Sequence, residues 1–268
     1  VIEEVNVKGP ASGASAVSTA PQTATPVSIS IVIPTLNESA GLPILLNRLA
    51  LLTERWPRDK FEIVLVDGGS TDGTRSLALS RVDLLIRSQS GRARQQNAGA
   101  AVARHDLLFF LHADSTLPQD FLEQLDVACA KGGLWGRFDV GFDSQLRRYR
   151  LLAWLMNWRS RLTGICTGDQ GLFIRRDLFV QVGGFADIPL MEDIEICRRL
   201  RRYGAPVCIP SVLITSSRRW QTNGFVRTVL LMWSLRWRYF FGATPEQLVE
   251  RYYPARGSRA GGEGKSDE

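Results

Sequence analysis

From Ile29 onward the chain alternates short apolar runs with stretches of helical spacing, and this alternation restricts the fold more than any other feature. The pairs are 29–33 with a helix near 42–55, 61–66 with a helix near 73–80, 83–86 with a helix near 92–103, and 107–111 with a helix near 119–130. Nearly continuous apolar runs suit strands buried on both faces, and the intervening helices supply the crossovers. The first half therefore reads as an α/β domain, doubly wound around a mostly parallel sheet. Beyond residue 133 the rhythm changes to a strand at 135–142, an amphipathic helix near 146–162, a strand at 171–174 and a helix at 193–203. That half reads as α+β and completes a cleft. A last amphipathic helix, 225–241, sets Val226, Val229, Leu230, Trp233, Trp237, Phe240 and Phe241 on one face, with Arg227, Arg236 and Arg238 off that stripe.

A length of 268 residues with 44% hydrophobic residues is enough for one full core, and a single domain over 28–254 is the simplest division. Residues 1–27 hold no aromatic residue and are rich in Ala, Ser, Thr and Pro, so they read as a disordered leader, and 255–268 as a disordered tail. The formal charge of +6 comes mostly from Arg after residue 145, which suits phosphate-bearing ligands or an anionic membrane, or a solvated basic face. Nucleic acid is not an expected partner. Cys129, Cys166, Cys197 and Cys208 form no CxxC pair, so they read as free thiols in a reducing compartment. With no signal-peptide pattern at the start, cytoplasmic placement is the expectation.

In open α/β sheets ligands bind beyond the carboxyl ends of the strands. Three apolar runs end there in polar clusters: Pro34 to Glu38, Asp67 to Gly73, and His112 to Ser115. One such Asp is ordinarily a helix cap or turn former; three clusters on one edge point to a shared pocket. An EF-hand is excluded because Ala78 stands where the loop needs its bidentate Glu. The sequence has no GxxxxGK[ST], and no GxGxxG turn follows the first strand, which argues against P-loop hydrolysis and dinucleotide binding.

Residues 31–38 (IVIPTLNE) and 66–74 (VDGGSTDGT) resemble the first two strand-end signatures of the family 2 glycosyltransferases, inverting enzymes of the GT-A fold. The resemblance spans roughly 28–220. It implies that Pro34, Glu38 and Asp67 contact the base and ribose of a nucleotide-sugar donor, with Asp72 bracing the loop. It divides the domain into a nucleotide-binding half (28–132), an acceptor half (133–222) and a C-terminal helical segment (223–254). His112-Ala113-Asp114 occupies the place of the family's DxD element, so Asp114 is the implied ligand of a divalent cation, Mn²⁺ or Mg²⁺. The first position here is His, one carboxylate fewer; His112 is left to donate to a ribose or phosphate oxygen. Arg92 and Arg94, in a Gly-led helix start, suit a phosphate or base edge, or an ordinary basic helix face.

On the acceptor side, Glu192-Asp193 resembles the family's Glu-Asp pair, whose Asp is the general base. Acidic residues in a helix's first turn also interact well with its dipole, which is the plain alternative. Asp169 and Gln170 are candidates for contact with sugar or acceptor, or shape a turn; Arg219 and Trp220 resemble an Arg-Trp element near the diphosphate. The expected activity is transfer from a donor, UDP-linked in the leading reading, to a hydroxyl acceptor. The alternatives are a lipid-phosphate acceptor and a non-catalytic nucleotide-sugar-binding protein. The small size, the GRAxQxN-like helix and the SRRW segment resemble a bacterial subgroup linked to arsenic- or selenium-containing sugars. The 225–241 helix either packs on protein or lies on the inner face of a membrane; its uncharged stretch is far short of the ~20 residues a span requires.

Overall fold

The computed structural model describes residues 4–6 and 27–252. Eight strands form one sheet in the order β1-β4-β3-β2-β5-β7-β6-β8. They are β1 (Glu4–Asn6), β2 (Ile29–Thr35), β3 (Phe61–Asp67), β4 (Leu84–Arg87), β5 (Leu107–Phe110), β6 (Trp135–Phe142), β7 (Leu172–Arg175) and β8 (Val207–Thr215). The central strands β4, β3, β2 and β5 are parallel to one another. From β2 the chain winds outward to β3 and β4 and then returns to the other side at β5, so the loops after β2 and β5 flank the switch point where α/β sheets bind ligands. The GT-A-like α/β expectation for the first half holds in this order.

Period-two alternation sorts the strand residues between two cores. Ile29, Ile31 and Ile33 of β2, with Ile63 and Leu65 of β3, pack beneath α1 (Leu42–Thr53) and α4 (Phe121–Ala130). Val32, Val64 and Val66 face the other way, toward α3 (Arg92–Val102). Between β3 and β4 runs the short α2 (Thr74–Ala78). In the second half α5 (Arg147–Thr163) follows β6, α6 (Arg176–Gln181) and α7 (Glu192–Leu200) follow β7, and α8 (Arg218–Asn223), α9 (Phe225–Phe240) and α10 (Pro245–Tyr252) follow β8.

The structure corrects the sequence reading in several places. Glu4–Asn6 pairs antiparallel with β4, so the expected disorder of the leader does not hold at those residues; residues 1–3, 7–26 and 253–268 lie outside the described residues. Strand β8, together with α6, α8 and α10, has no counterpart in that reading. β8 was hidden by Pro210 and by a half-exposed edge whose alternation is weak. The apolar stripe of α9 is not buried: Trp233, Trp237 and Phe240 are 53%, 61% and 70% exposed, while Leu231 and Leu235 on the opposite side meet α10.

One close approach sets the depth at which α3 lies on the sheet. A Cβ on Gly99 would stand 2.4 Å from Cγ1 of Val32 and 2.9 Å from Cγ2 of Val66. Gly99→Ala should therefore destabilise the fold by about 1–3 kcal/mol through overpacking, despite the better helix propensity of alanine. Denaturant unfolding measures this, and Val32→Ala in the same chain should recover part of the loss; an unchanged midpoint in Gly99→Ala would refute the close fit.

Candidate active site

The loops after β2 and β3 are stitched to each other by side chains. Asn37, with φ of 56°, donates its backbone amide to the Ser70 hydroxyl oxygen and accepts the Thr71 amide at Oδ1, both at 2.9 Å. The Glu38 amide donates to Thr74 Oγ1 at 2.9 Å, and the Ser39 amide to Asp72 Oδ2 at 3.0 Å. The Thr74 hydroxyl and the Ser39 amide hold the Asp72 carboxyl well below its ordinary range. Behind these loops Gln95 of α3 donates its Nε2 to the carbonyls of Thr35 and Val66, each at 2.8 Å.

This rim opens on a cavity of about 1490 Å³, whose wall includes Pro34, Glu38, Arg92, His112, Asp114, Asp169, Glu192, Asp193, Arg219 and Trp220. Burial and the nearby charge of Asp114 raise the Glu38 carboxyl, with Arg218 Nη2 3.7 Å away opposing. The loop carrying His112 and Asp114 is tied to β8 by paired hydrogen bonds between Thr116 and Ile214. His112 turns Nδ1 toward Asp169 Oδ1 at 3.4 Å, while its Nε2 faces the backbone of Gly168, where a Cβ would come within 2.3 Å. Burial opposes ionisation of Asp169, yet the hydrogen bond and charge of His112, with Arg92 and Arg219 further off, hold its carboxyl below the usual range.

Across the cavity α7 begins at Met191, a non-glycine residue in the left-handed region with φ of 71°. Glu192 is buried and 3.3 Å from Arg92 Nη1. Asp193 accepts the Ile194 amide at 2.8 Å and the Gly168 amide at 3.2 Å. Burial, reinforced by the charge of Glu192, pushes its carboxyl up to about 6. A carboxylate so placed exchanges protons near neutrality, the range a general base requires.

Residues 30–181 match the family description Glycosyl transferase family 2. The chain belongs to that family. It is 29% identical over 163 residues to the undecaprenyl-phosphate 4-deoxy-4-formamido-L-arabinose transferase of Aeromonas hydrophila, covering 55% of this chain and 48% of the relative. Identity to glycosyltransferase AglE of Haloferax volcanii is 32% over 103 residues, covering 36% of this chain and 33% of that protein. The chain thus spans half or less of the length of these curated relatives. Among solved structures, mannosyltransferase PcManGT from Pyrobaculum calidifontis, in complex with GDP-Man and Mn²⁺, superposes with a TM-score of 0.54 at 22% identity, over 73% of this chain and 58% of that one. S. aureus TarS 1-349 in complex with UDP-GlcNAc gives 0.54 at 16% identity, over 71% and 58%. These likenesses establish the GT-A fold.

Within the family 2 framework, not every residue singled out by the resemblance reaches the cavity. Asp67 is fully buried, its carboxylate receives the amides of Gly69 and Ser70, and it does not line the cavity wall. Asp72 is likewise occupied by the loop it braces. Arg94 points away and pairs with Asp187 at 2.7 Å. Gln170 is buried in a capping box with Thr167 and donates to Asn157. His112 pairs through Nδ1 with Asp169, and its Nε2 is packed against Gly168 without a hydrogen-bond partner among the described residues. The sequence reading overlooked Arg159 and Tyr252 on the wall, and Arg218 entered it only within the SRRW segment; Tyr252 of α10 lies 3.9 Å beneath the Arg219 guanidinium.

Asp114 has a wall position suited to a hard cation, and among the described residues no three His, Cys, Asp or Glu side chains form a preformed cage. That donor set fits a Mg²⁺ or Mn²⁺ bound through one or two carboxylates and completed by the oxygens of a diphosphate. The His112–Asp169 contact is directly testable. His112→Phe keeps a ring against Gly168 but removes the donor, so burial should dominate and the Asp169 pKa should rise. Carboxyl ¹³C NMR titration reads this, and an unshifted Asp169 would show that His112 does not govern it.

Proposed function

We propose that the chain is an inverting glycosyltransferase that moves a sugar from a nucleotide-diphosphate donor, UDP-linked in the leading reading, to a hydroxyl acceptor by single displacement. The observation that carries this reading is Asp193, a half-buried carboxyl raised to about 6 on the same cavity wall as Asp114. Pro34 and Glu38 border the space for base and ribose, and Arg92, Arg218 and Arg219 supply positive charge for the diphosphate. A divalent cation, Mn²⁺ or Mg²⁺, held by Asp114 would offset charge on the leaving diphosphate.

In the transfer, the acceptor oxygen bonds to the anomeric carbon as the bond from that carbon to the diphosphate oxygen breaks. Asp193 takes the acceptor's proton in the same step. Glu192, fixed by Arg92, sustains the proton affinity of Asp193 through its adjacent charge. Asp169, fixed by His112, remains ionised and is placed to accept hydrogen bonds from sugar hydroxyls. Trp220 offers an indole N–H that is buried and has no hydrogen-bond partner among the described residues.

A second reading, a lipid-phosphate acceptor at the inner face of the membrane, is favoured by one observation: exposed Trp158, Trp233 and Trp237 line the outer part of the same cavity. The relatives named as undecaprenyl-phosphate transferases support it further. No helix among the described residues is long and apolar enough to cross a membrane, so such contact would be peripheral.

The two readings differ in their need for a base, because a phosphate monoester is already largely ionised at neutral pH. With a hydroxyl acceptor, Asp193 must be unprotonated: the rate should rise through about pH 6 and stay level above it. Asp193→Asn should then lower turnover by roughly 10²- to 10⁴-fold while sparing UDP binding in a thermal-shift assay with Mn²⁺. An Asp193→Asn enzyme that keeps most of its rate selects the phosphate acceptor. Asp114→Asn should abolish Mn²⁺-dependent transfer and the Mn²⁺-dependent part of the UDP shift; full turnover by both variants would overturn the assignment. Wild-type protein that binds UDP and never releases sugar from any donor would be a binding module.

A further inference from the structure

Gly168 is a glycine for a reason that lies outside its own backbone. Its φ is not in the left-handed region, so its dihedral angles do not require a residue without a side chain. What excludes a side chain is the ring of His112. A Cβ on Gly168 would stand 2.3 Å from Nε2 and 2.5 Å from Cε1, and the three atoms nearest that position all belong to His112. The ring is held in turn, with Nδ1 3.4 Å from Asp169 Oδ1.

The amide of the same residue donates to Asp193 Oδ2 at 3.2 Å. The other oxygen of Asp193 accepts the amide of Ile194, the next residue of its own helix, at 2.8 Å. Gly168 therefore ties the carboxylate to a segment outside α7. The turn that carries its amide is anchored from α5 and β6: Thr167 and Gln170 form the capping box around 168–170, and the buried Gln170 gives Nε2 to Asn157 at 3.2 Å. Asn157 is itself bonded to the amide and the carbonyl of Val140. Against this anchored turn His112 brings a ring from the loop after β5, the loop that carries Asp114 two residues later. Close-packed contacts of this kind transmit displacement, because neither side has room to relax.

We propose that His112 and Gly168 are positioning residues of the transfer: the ring fills the space a Cβ would take at Gly168, sets the place of the Gly168 amide, and through it orients the Asp193 carboxylate. The inference rests on the reading of Asp193 as the general base. It gives His112 a role toward the base in place of one toward the donor. The loop that bears the candidate cation ligand then also supports the group that takes the acceptor's proton. The ring acts by its shape, so an aromatic ring without nitrogen serves equally at this contact.

The test uses the full chain and reads Asp193 directly by carboxyl ¹³C NMR titration without metal. The wild type, with Asp193 pushed up to about 6, is the reference. Glu192 and Cys197 on its own helix, Arg92 of α3, Arg159 of α5 and Tyr239 of α9 interact electrostatically with Asp193, and all of them stay in place in every variant. Gly168→Ala drives the turn and the ring apart. A hydrogen bond to the ionised form lowers a carboxyl pKa, so its loss should raise the Asp193 titration by roughly half a pH unit or more. His112→Ala, which leaves the turn unsupported, should raise it as well. His112→Phe keeps a ring against Gly168 and should leave Asp193 where it is. Gly168→Ala combined with His112→Ala places a methyl group in the vacated space and should titrate nearer to wild type than Gly168→Ala alone.

UDP release from UDP-glucose with Mn²⁺ supplies the kinetic side. Gly168→Ala should lower kcat by about 10-fold or more through a misplaced base, while KM for UDP-glucose and the thermal shift with UDP and Mn²⁺ stay within about 2-fold. A general loss of structure would move all three. If Gly168→Ala does not fold, the comparison of His112→Ala with His112→Phe carries the test. One Asp193 titration shared by wild type, Gly168→Ala and His112→Ala overturns the proposal. So does a His112→Phe that shifts Asp193 as far as His112→Ala, because the chemistry of the imidazole and not its shape would then be responsible. Full turnover by Asp193→Asn sinks the base reading and this inference with it, whereas an inactive Asp193→Asn beside an unaffected Gly168→Ala sinks this inference alone.

Discussion

The site depends first on the way Gln95 closes the ends of two strands. Where β2 and β3 stop, the carbonyls of Thr35 and Val66 meet the Gln95 amide, and a single side chain bonds both. The Thr35 carbonyl also accepts the Gly68 amide and the Val66 carbonyl the Thr35 hydroxyl, so the Gln95 amide completes a shared set of bonds that holds the two loops close as they leave the sheet. Gly68 is part of the same fit, since a Cβ there would stand 3.0 Å from the Gln95 amide group. Gln95 reaches these carbonyls because Gly99, one turn further along α3, lets the helix sit directly on Val32 and Val66. Helix depth, strand-end closure and the rim of the cavity are therefore one packing arrangement.

From that rim the electrostatics divide the cavity. Carboxyl groups with opposite tendencies share it: Asp169 is held ionised by His112, while Asp193 is pushed toward the proton by burial and by Glu192. Environments that drive neighbouring titratable groups apart assign them different roles. The arginines are graded in a similar way. Arg92 is anchored to Glu192, Arg219 is stacked on Tyr252, and Arg159 keeps a buried edge without a hydrogen-bond partner among the described residues.

Much of this was legible before the fold was known. Helical spacing and apolar runs place the parallel strands to within a few residues, because strands buried on both faces leave little room for polar residues. The polar clusters at 34–38 and 112–115 fall on the cavity, as the topology of α/β sheets requires. Asp67 was legible as important but not as a loop former, since a strand-end Asp looks the same whether it faces a ligand or receives the next two amides. β8 was hidden because an edge strand with a proline and a half-solvated face carries little alternation.

By itself the sequence determined the α/β class, the strand ends that border the cavity, and the acidic and basic residue types that line it. These are consequences of local spacing, which decides which residues share a face of a strand or helix. Only tertiary structure decided which partner each face meets. It paired His112 Nδ1 with Asp169, left the aromatic stripe of α9 exposed beside the cavity, and placed Arg159 on the wall with an edge that no described residue fills. Those outcomes depend on segments far apart in the chain, such as the Thr116–Ile214 bridge that sets the loop after β5 against β8, and no local pattern carries that information.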